Sequence, residues 1–220
     1  PKGDTLAFLA WSDPHMPWEA AAVFTASVDE QGNVATPIHV AGGATGSAFS
    51  PLWSAAGELY FALEADGGPW NIHRLRGGKV ERVHASDDEW GAALWNLGTT
   101  LFGFDGAGQL VGAPMANGRS KLVRLDVESG REETLIDDLG HIGHLAVRGH
   151  DVLMTQGWAG SGIRLLHYDL ESREQRVLRD VKSHLFQGPT AILTAEDVPV
   201  AESVTFPTSG GEVAHGFFYA

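Results

Sequence analysis

The chain contains no cysteine, which excludes disulfides and thiolate-held metal sites and fits a cytoplasmic protein. Cations are scarce as well. Fifteen lysines and arginines (Lys+Arg 15) stand against 28 aspartates and glutamates, for a formal net charge of −13. A surface that acidic repels phosphate backbones and anionic headgroups, so neither nucleic acid nor membrane is an expected partner. No apolar run approaches the roughly 20 residues needed to cross a bilayer. The opening residues Pro1-Lys2-Gly3-Asp4 carry no initiator methionine, basic n-region or h-region. They read as a turn into a strand at Leu6–Ala10, so the expectation is a fragment that starts inside a hairpin.

What is abundant is glycine, at 28 residues, with 7 tryptophans among 220 residues. Gly-rich turns separated by short apolar and aromatic segments favour an all-β architecture. No amphipathic helix of convincing length stands out. The best helical stretch, Glu19–Ser27, contains Val23, Phe24 and Thr25, which suit a strand. Turn signals recur at Asp29–Asn33, Ala55–Gly57, Asp66–Gly68, Asp105–Gly108 and Glu128–Gly130, each with Gly or Asn where a tight hairpin needs positive φ.

An internal repeat organises these segments. Val123–Ser129 aligns with Leu166–Ser172 at an offset of 43 residues, and both segments alternate as half-buried strands do. Each turns after an equivalent aspartate, Asp126 or Asp169, and returns in a second strand ending near Leu135 or Leu178. Looser copies are Ile72–Leu75 with Val80–Val83, and Thr25–Val28 with Ala35–Ile38. Steps of about 43 to 50 residues are the size of one four-stranded propeller blade. The expected fold is therefore a β-propeller of four-stranded blades. About four to five blades are present, in a chain that holds only part of a ring of about seven.

Several segments resemble the prolyl oligopeptidase family of serine peptidases. Trp11-Ser12-Asp13-Pro14-His15-Met16-Pro17-Trp18-Glu19 is similar to the W-x-x-P-x-M-P-W-D/E signature of its acylaminoacyl-peptidase-like and dipeptidyl-peptidase-like members. Ser47–Ser54, with Pro51 and Trp53, and Gly57–Phe61 follow the same pattern, as does Gly68-Pro69-Trp70-Asn71-Ile72-His73-Arg74, where Pro69 replaces a tryptophan. Glu89–Trp95 is close to the family's E-F-x-x-P-x-W. Glu202–Tyr219, with Phe206 and Pro207, resembles the junction at which such chains leave the propeller for an α/β-hydrolase domain. The resemblance implies residues 1–200 as a partial propeller and 201–220 as the junction and first hydrolase strand. It also implies a Ser-Asp-His hydrolase domain outside this chain, with short peptides as substrates and a possible homo-oligomer.

The chain's own chemistry is sparse. The nucleophile elbow G-x-S-x-G is absent; Gly157–Gly162 comes nearest, with Ala159 where glycine is required before Ser161, and Ser209 fails too. His141 and His144, with His150 nearby, raise the question of a metal. Their i,i+3 spacing places the first two on opposite faces of a strand, and loop histidines are the plainer reading. Asp87-Asp88-Glu89 and Asp137-Asp138 are acidic runs of a kind glycosidases use, but neighbouring carboxylates in extended backbone diverge. Sialidase-type Asp boxes, WD repeats, phosphate-binding loops and EF-hands are not found. The expectation is no metal and no organic cofactor.

Trp11, Trp18, Trp53, Trp70, Trp90, Trp95 and Trp158 are read chiefly as inter-blade packing. Family-signature residues Trp11, Pro14, Met16, Pro17, Trp18, Pro51, Trp53, Trp95, Phe206 and Pro207 are taken as structural, and Trp70 and Asn71 as candidates to face substrate. The reading is a non-catalytic propeller segment that gates a serine peptidase of acylaminoacyl- or dipeptidyl-peptidase type. Its rival is a free-standing propeller scaffold for protein–protein contacts.

Overall fold

The computed structural model describes residues 3–158, 162–181 and 191–219. Strands β1 (Thr5–Ala10), β2 (Ala22–Ser27) and β3 (Ile38–Gly42) form a three-stranded sheet, with a one-turn helix α1 (Pro17–Ala20) between the first two. The helical turn takes Glu19, and the β-branched and aromatic residues that follow build β2, as their propensity requires. Next come β4 (Ala48–Trp53), β5 (Leu59–Glu64), β6 (Trp70–Arg76) and β7 (Lys79–Arg82), a four-stranded meander.

The third sheet contains β8 (Phe102–Phe104) and β9 (Leu110–Gly112). After a small hairpin of β10 (Met115–Ala116) and β11 (Arg119–Ser120), it continues with β12 (Leu122–Leu125) and β13 (Glu132–Ile136). The fourth is β14 (His141–Arg148), β15 (Asp151–Gly157), β16 (Ile163–Asp169) and β17 (Gln175–Val181). A last hairpin, β18 (Glu202–Pro207) with β19 (Val213–Phe218), forms its own two-stranded sheet. The expected blades thus appear as three complete four-stranded antiparallel sheets and one of three strands.

Sheets packed on both faces bury consecutive residues rather than alternate ones. In β5 Leu59, Tyr60, Phe61 and Ala62 are all buried. Tyr60 and Ala62 join the large core with Phe49, Ile72, Trp90, Phe102 and Leu125, which runs through the second, third and fourth sheets. Leu59 and Phe61, on the opposite face, join Val23, Ala41 and Ala48 from the first sheet and its neighbour. One strand therefore bonds two cores together.

The repeat holds down to single hydrogen bonds. Asp126 Oδ1 accepts the amides of Glu128 (3.0 Å) and Ser129 (2.8 Å), and Asp169 Oδ1 those of Glu171 (2.9 Å) and Ser172 (2.8 Å). An aspartate that satisfies its own turn fixes that turn locally. One strand prediction is corrected. His141 and His144 do not lie on opposite faces of β14, because a bulge at Gly143 shifts the register between Ile142 and His144. The extra residue resets the alternation, so both histidines are exposed.

Candidate functional site

In an antiparallel meander the connections alternate between two ends. Here one end, the turn end, carries the tight turns at 54–58, 77–78, 105–109, 126–131 and 149–150. The other, the loop end, carries the connections at 11–21, 65–69, 83–101 and 113–121, of which all but 65–69 run to nine residues or more. Six of the seven tryptophans, Trp53 excepted, lie at the loop end or where a strand starts from it.

The signature segment is tied down by backbone-level bonds. Met16 donates its amide to Glu19 Oε2 (2.8 Å), closing the first turn of α1. Pro17 sits at the start of α1, where a missing N–H is harmless, and its carbonyl accepts Ser47 Oγ at 2.8 Å. Pro14 follows a cis peptide after Asp13. Pro51 lies in the irregular stretch of β4 between Phe49 and Leu52, where a residue without an amide proton is tolerated. Trp53 packs with Leu59 and Phe61.

Trp70 and Asn71 are fastened into the loops around them. The Trp70 indole N–H donates to the Ser47 carbonyl (2.8 Å), its amide donates to Glu89 Oε1 (2.8 Å), and its carbonyl accepts the Trp90 amide (2.9 Å). Asn71 donates to the carbonyls of Pro69 and Ser86 (both 3.1 Å) and accepts the Ser86 amide at 2.8 Å. Asn71 and Pro69 nevertheless line a depression of about 390 Å³ with Asp66, Arg82, Ser86 and Asp87. Burial pushes the Glu89 carboxyl upward, against the pull of the Trp70 and Gly91 amides. The acidic run diverges: Asp88 pairs with Lys121 at 2.7 Å while Glu89 turns to those amides.

The tryptophans divide into two groups. Trp53, Trp70 and Trp90 pack into the cores. Trp95 is 74% exposed and packs on Trp18 with ring centroids 4.0 Å apart and planes tilted by 40°. Trp11, Met16 and Leu97 are exposed at the same end. Arg119, held to Asp138 by two bonds of 2.9 and 2.7 Å, stacks over Trp158 at 5.2 Å. Phe217 of β19 lies against Gly118 in the β10–β11 turn, where a Cβ would come within 1.9 Å of the ring. Only glycine permits that approach. The hairpin with Phe206 and Pro207 thus meets the loop end, and Phe206, Phe217, Phe218 and Tyr219 remain exposed.

Ser209 lies in the exposed connection between β18 and β19, and Ser161 falls outside the described residues. Two clusters had no sequence motif to announce them. Lys121 pairs with Asp88 (2.7 Å) and Glu132 (2.6 Å), and His84 Nε2 stands 3.1 Å from Glu132. His150, Asp151 and Asp169 gather at the turn end. No helix among the described residues is long and apolar enough to cross a membrane.

No family model and no curated protein matches the chain. Solved structures do. A Mycobacterium tuberculosis puromycin-hydrolyzing peptidase is 25% identical, with a TM-score of 0.84 over all of this chain and 32% of that one. A puromycin hydrolase is 24% identical, with a TM-score of 0.85 and the same coverage of both chains. Prolyl oligopeptidase B from Galerina marginata is 12% identical, with a TM-score of 0.67 over 98% of this chain and 29% of that one. The chain therefore spans about a third of the length of these peptidases. In fold, the chain is similar to the stretch of these peptidases that it covers, and its four-stranded antiparallel sheets are the blades that the repeat predicts.

Proposed function

We propose that the chain is the non-catalytic propeller segment of a serine peptidase acting on short peptides, with its loop end turned toward a hydrolase domain. The observation that carries this reading is the fold likeness over the whole chain to about a third of puromycin-hydrolysing peptidases. The exposed aromatic surface at the loop end supports it. Trp11, Trp95 and the β18–β19 hairpin gather apolar area on the end where the chain leaves the blades, and such area marks a contact surface. Residues 201–220 then lead into the hydrolase domain, and blades stacked beside it restrict access sterically, without affinity for any one sequence.

In this reading the chain supplies no triad member, and the exposed aromatic groups hold the catalytic domain and border the path of a peptide. The test compares this chain with a longer polypeptide that contains it. The longer one is expected to react with a fluorophosphonate serine probe and to cleave short peptides but not a folded protein. The chain alone is expected to do neither. Labelling of the chain alone, or an unlabelled longer polypeptide, would overturn the proposal, and the second result would leave the propeller as a scaffold.

A further inference from the structure

The turn end holds one cluster of metal-ligating side chains that the proposed function does not use. His150 closes the β14–β15 turn and Asp151 opens β15, opposite Asp169 at the end of β16. His167 is two residues before Asp169 and so shares its strand face. His167 Nε2 is 2.6 Å from Asp151 Oδ1, and His150 Nε2 is 3.6 Å from Asp169 Oδ2. The ligand atoms of His150, Asp151 and Asp169 all lie within 4.8 Å of one another. We propose that His150, Asp151 and Asp169 form a binding site for one divalent transition ion, zinc above all, with His167 orienting Asp151.

The spacing suits that ion. Bonds of about 2.0–2.2 Å in a tetrahedron put neighbouring ligand atoms about 3.3–3.6 Å apart. His150 and Asp169 already stand at that separation, Asp151 lies within 4.8 Å of both, and the fourth position is left for water. An imidazole beside two carboxylates favours zinc and its neighbours in the transition series over calcium or magnesium, which require six or more oxygen ligands.

The supporting bonds aim the ligands. Asp169 Oδ1 is occupied by the amides of Glu171 and Ser172, which leaves Oδ2 facing His150. The His150 carbonyl accepts the Leu170 amide at 2.9 Å, fastening its turn to the next one. Such second contacts fix ligand orientation and tune affinity. The third sheet provides an internal control. Asp126 makes the same turn there, yet Arg124 takes the place of His167, and the β9–β12 register brings Gln109 opposite Asp126. The turn therefore does not need these ligands.

The measurement is calorimetric titration of the purified protein with ZnCl2, with MgCl2 as control and Co2+ absorption as a report on tetrahedral geometry. We expect one zinc per chain and a higher Tm in zinc, since a ligand that binds only the folded state stabilises it. His150→Ala, an exposed change, is expected to weaken binding about tenfold or more, as is Asp151→Asn. His144→Ala, on β14 outside the cluster, is expected to leave it unchanged. Absence of saturable zinc uptake, or uptake that His150→Ala and Asp151→Asn do not alter, would overturn the site.

Discussion

The two ends of the sheets are held together by different physics. At the turn end, aspartates and glycines settle each hairpin within five residues of chain. Asp29, Asp105, Asp126 and Asp169 all accept amides two to four residues ahead. Ion pairs such as Arg76–Glu128 and Arg173–Glu133 run over its surface. At the loop end, most connections are longer, and they hold their shape through contacts far apart in sequence: Ser47 with Pro17, Trp70 with Ser47, Gly118 with Phe217. Local chemistry makes an end that repeats from blade to blade. Long-range chemistry makes an end that differs at every blade, and such an end is suited to recognition.

The sharpest way to break that comparison is to remove tryptophans from the loop end. Trp90 is 1% exposed, packs against Gly112, and belongs to the large core. Trp90→Ala is expected to cost about 3–5 kcal/mol, the range for a buried large-to-small change, read as a fall in the urea midpoint. Trp95, a few residues on, is expected to behave oppositely. Its loss removes mainly the contact with Trp18, no more than about 1.5 kcal/mol, while the proposed function predicts altered peptide selectivity in the longer polypeptide. Equal destabilisation by both would mean that the loop end is core throughout and has no separate recognition surface.

These cases mark what was legible in the sequence. Hairpin turns and the 43-residue repeat could be read because an Asx turn or a Gly at positive φ is specified by adjacent residues. The Gly143 bulge escaped, since only pairing with β15 reveals it. Periodicity could not separate Trp90 from Trp95, because both lie in one connection and differ only in what the fold brings against them. His84, Asp88, Lys121 and Glu132 meet across two sheets without a spacing rule. The cluster at His150 left no motif either: His167-Tyr168-Asp169 places a histidine and an aspartate on one strand face, which by itself is no signature. Its partners came only with the strand register.

The His84 network is the next test, because it joins the second and third sheets rather than either end. His84 Nδ1 faces the Gly130 carbonyl at 2.9 Å while Nε2 faces Glu132. Donating to both requires the protonated ring. The bond to Glu132 accordingly raises His84 above its ordinary 6.5, outweighing burial. Burial pushes Glu132 upward, but His84 and Lys121 together hold it below its ordinary 4.5. The His84 contribution is complete below its unfolded value near 6.5 and is lost as pH rises through its higher folded value. The Glu132 contribution is complete above about 4.5 and is lost as pH falls through its lower folded value. Urea unfolding across pH is therefore expected to show stability falling as pH rises above about 6.5. His84→Gln should flatten that limb, and an unaltered pH profile in the variant would remove the network from the account.

The smallest effect concerns where the repeat departs from itself. Gly130 and Arg173 hold equivalent turn positions at φ 71° and 60°, each donating its amide to the turn aspartate's carbonyl, at 2.8 and 2.9 Å. Glycine is obligatory at 130, where a Cβ would stand 2.6 Å from the Val83 carbonyl oxygen of the neighbouring sheet. At 173 a side chain is present, at the strain that left-handed backbone imposes on any residue with a Cβ. Its compensation is an ion pair with Glu133 at 2.6 Å, between two solvent-exposed groups. Pairs of that kind contribute little and weaken with salt. Arg173→Gly trades the strain against the pair and a more flexible unfolded chain. We expect a slight rise in Tm at low ionic strength and a larger one in high salt, where the pair is already screened. If Tm falls and salt does not reverse the fall, the side chain at 173 holds the turn, and the turn end depends on contacts between sheets as the loop end does.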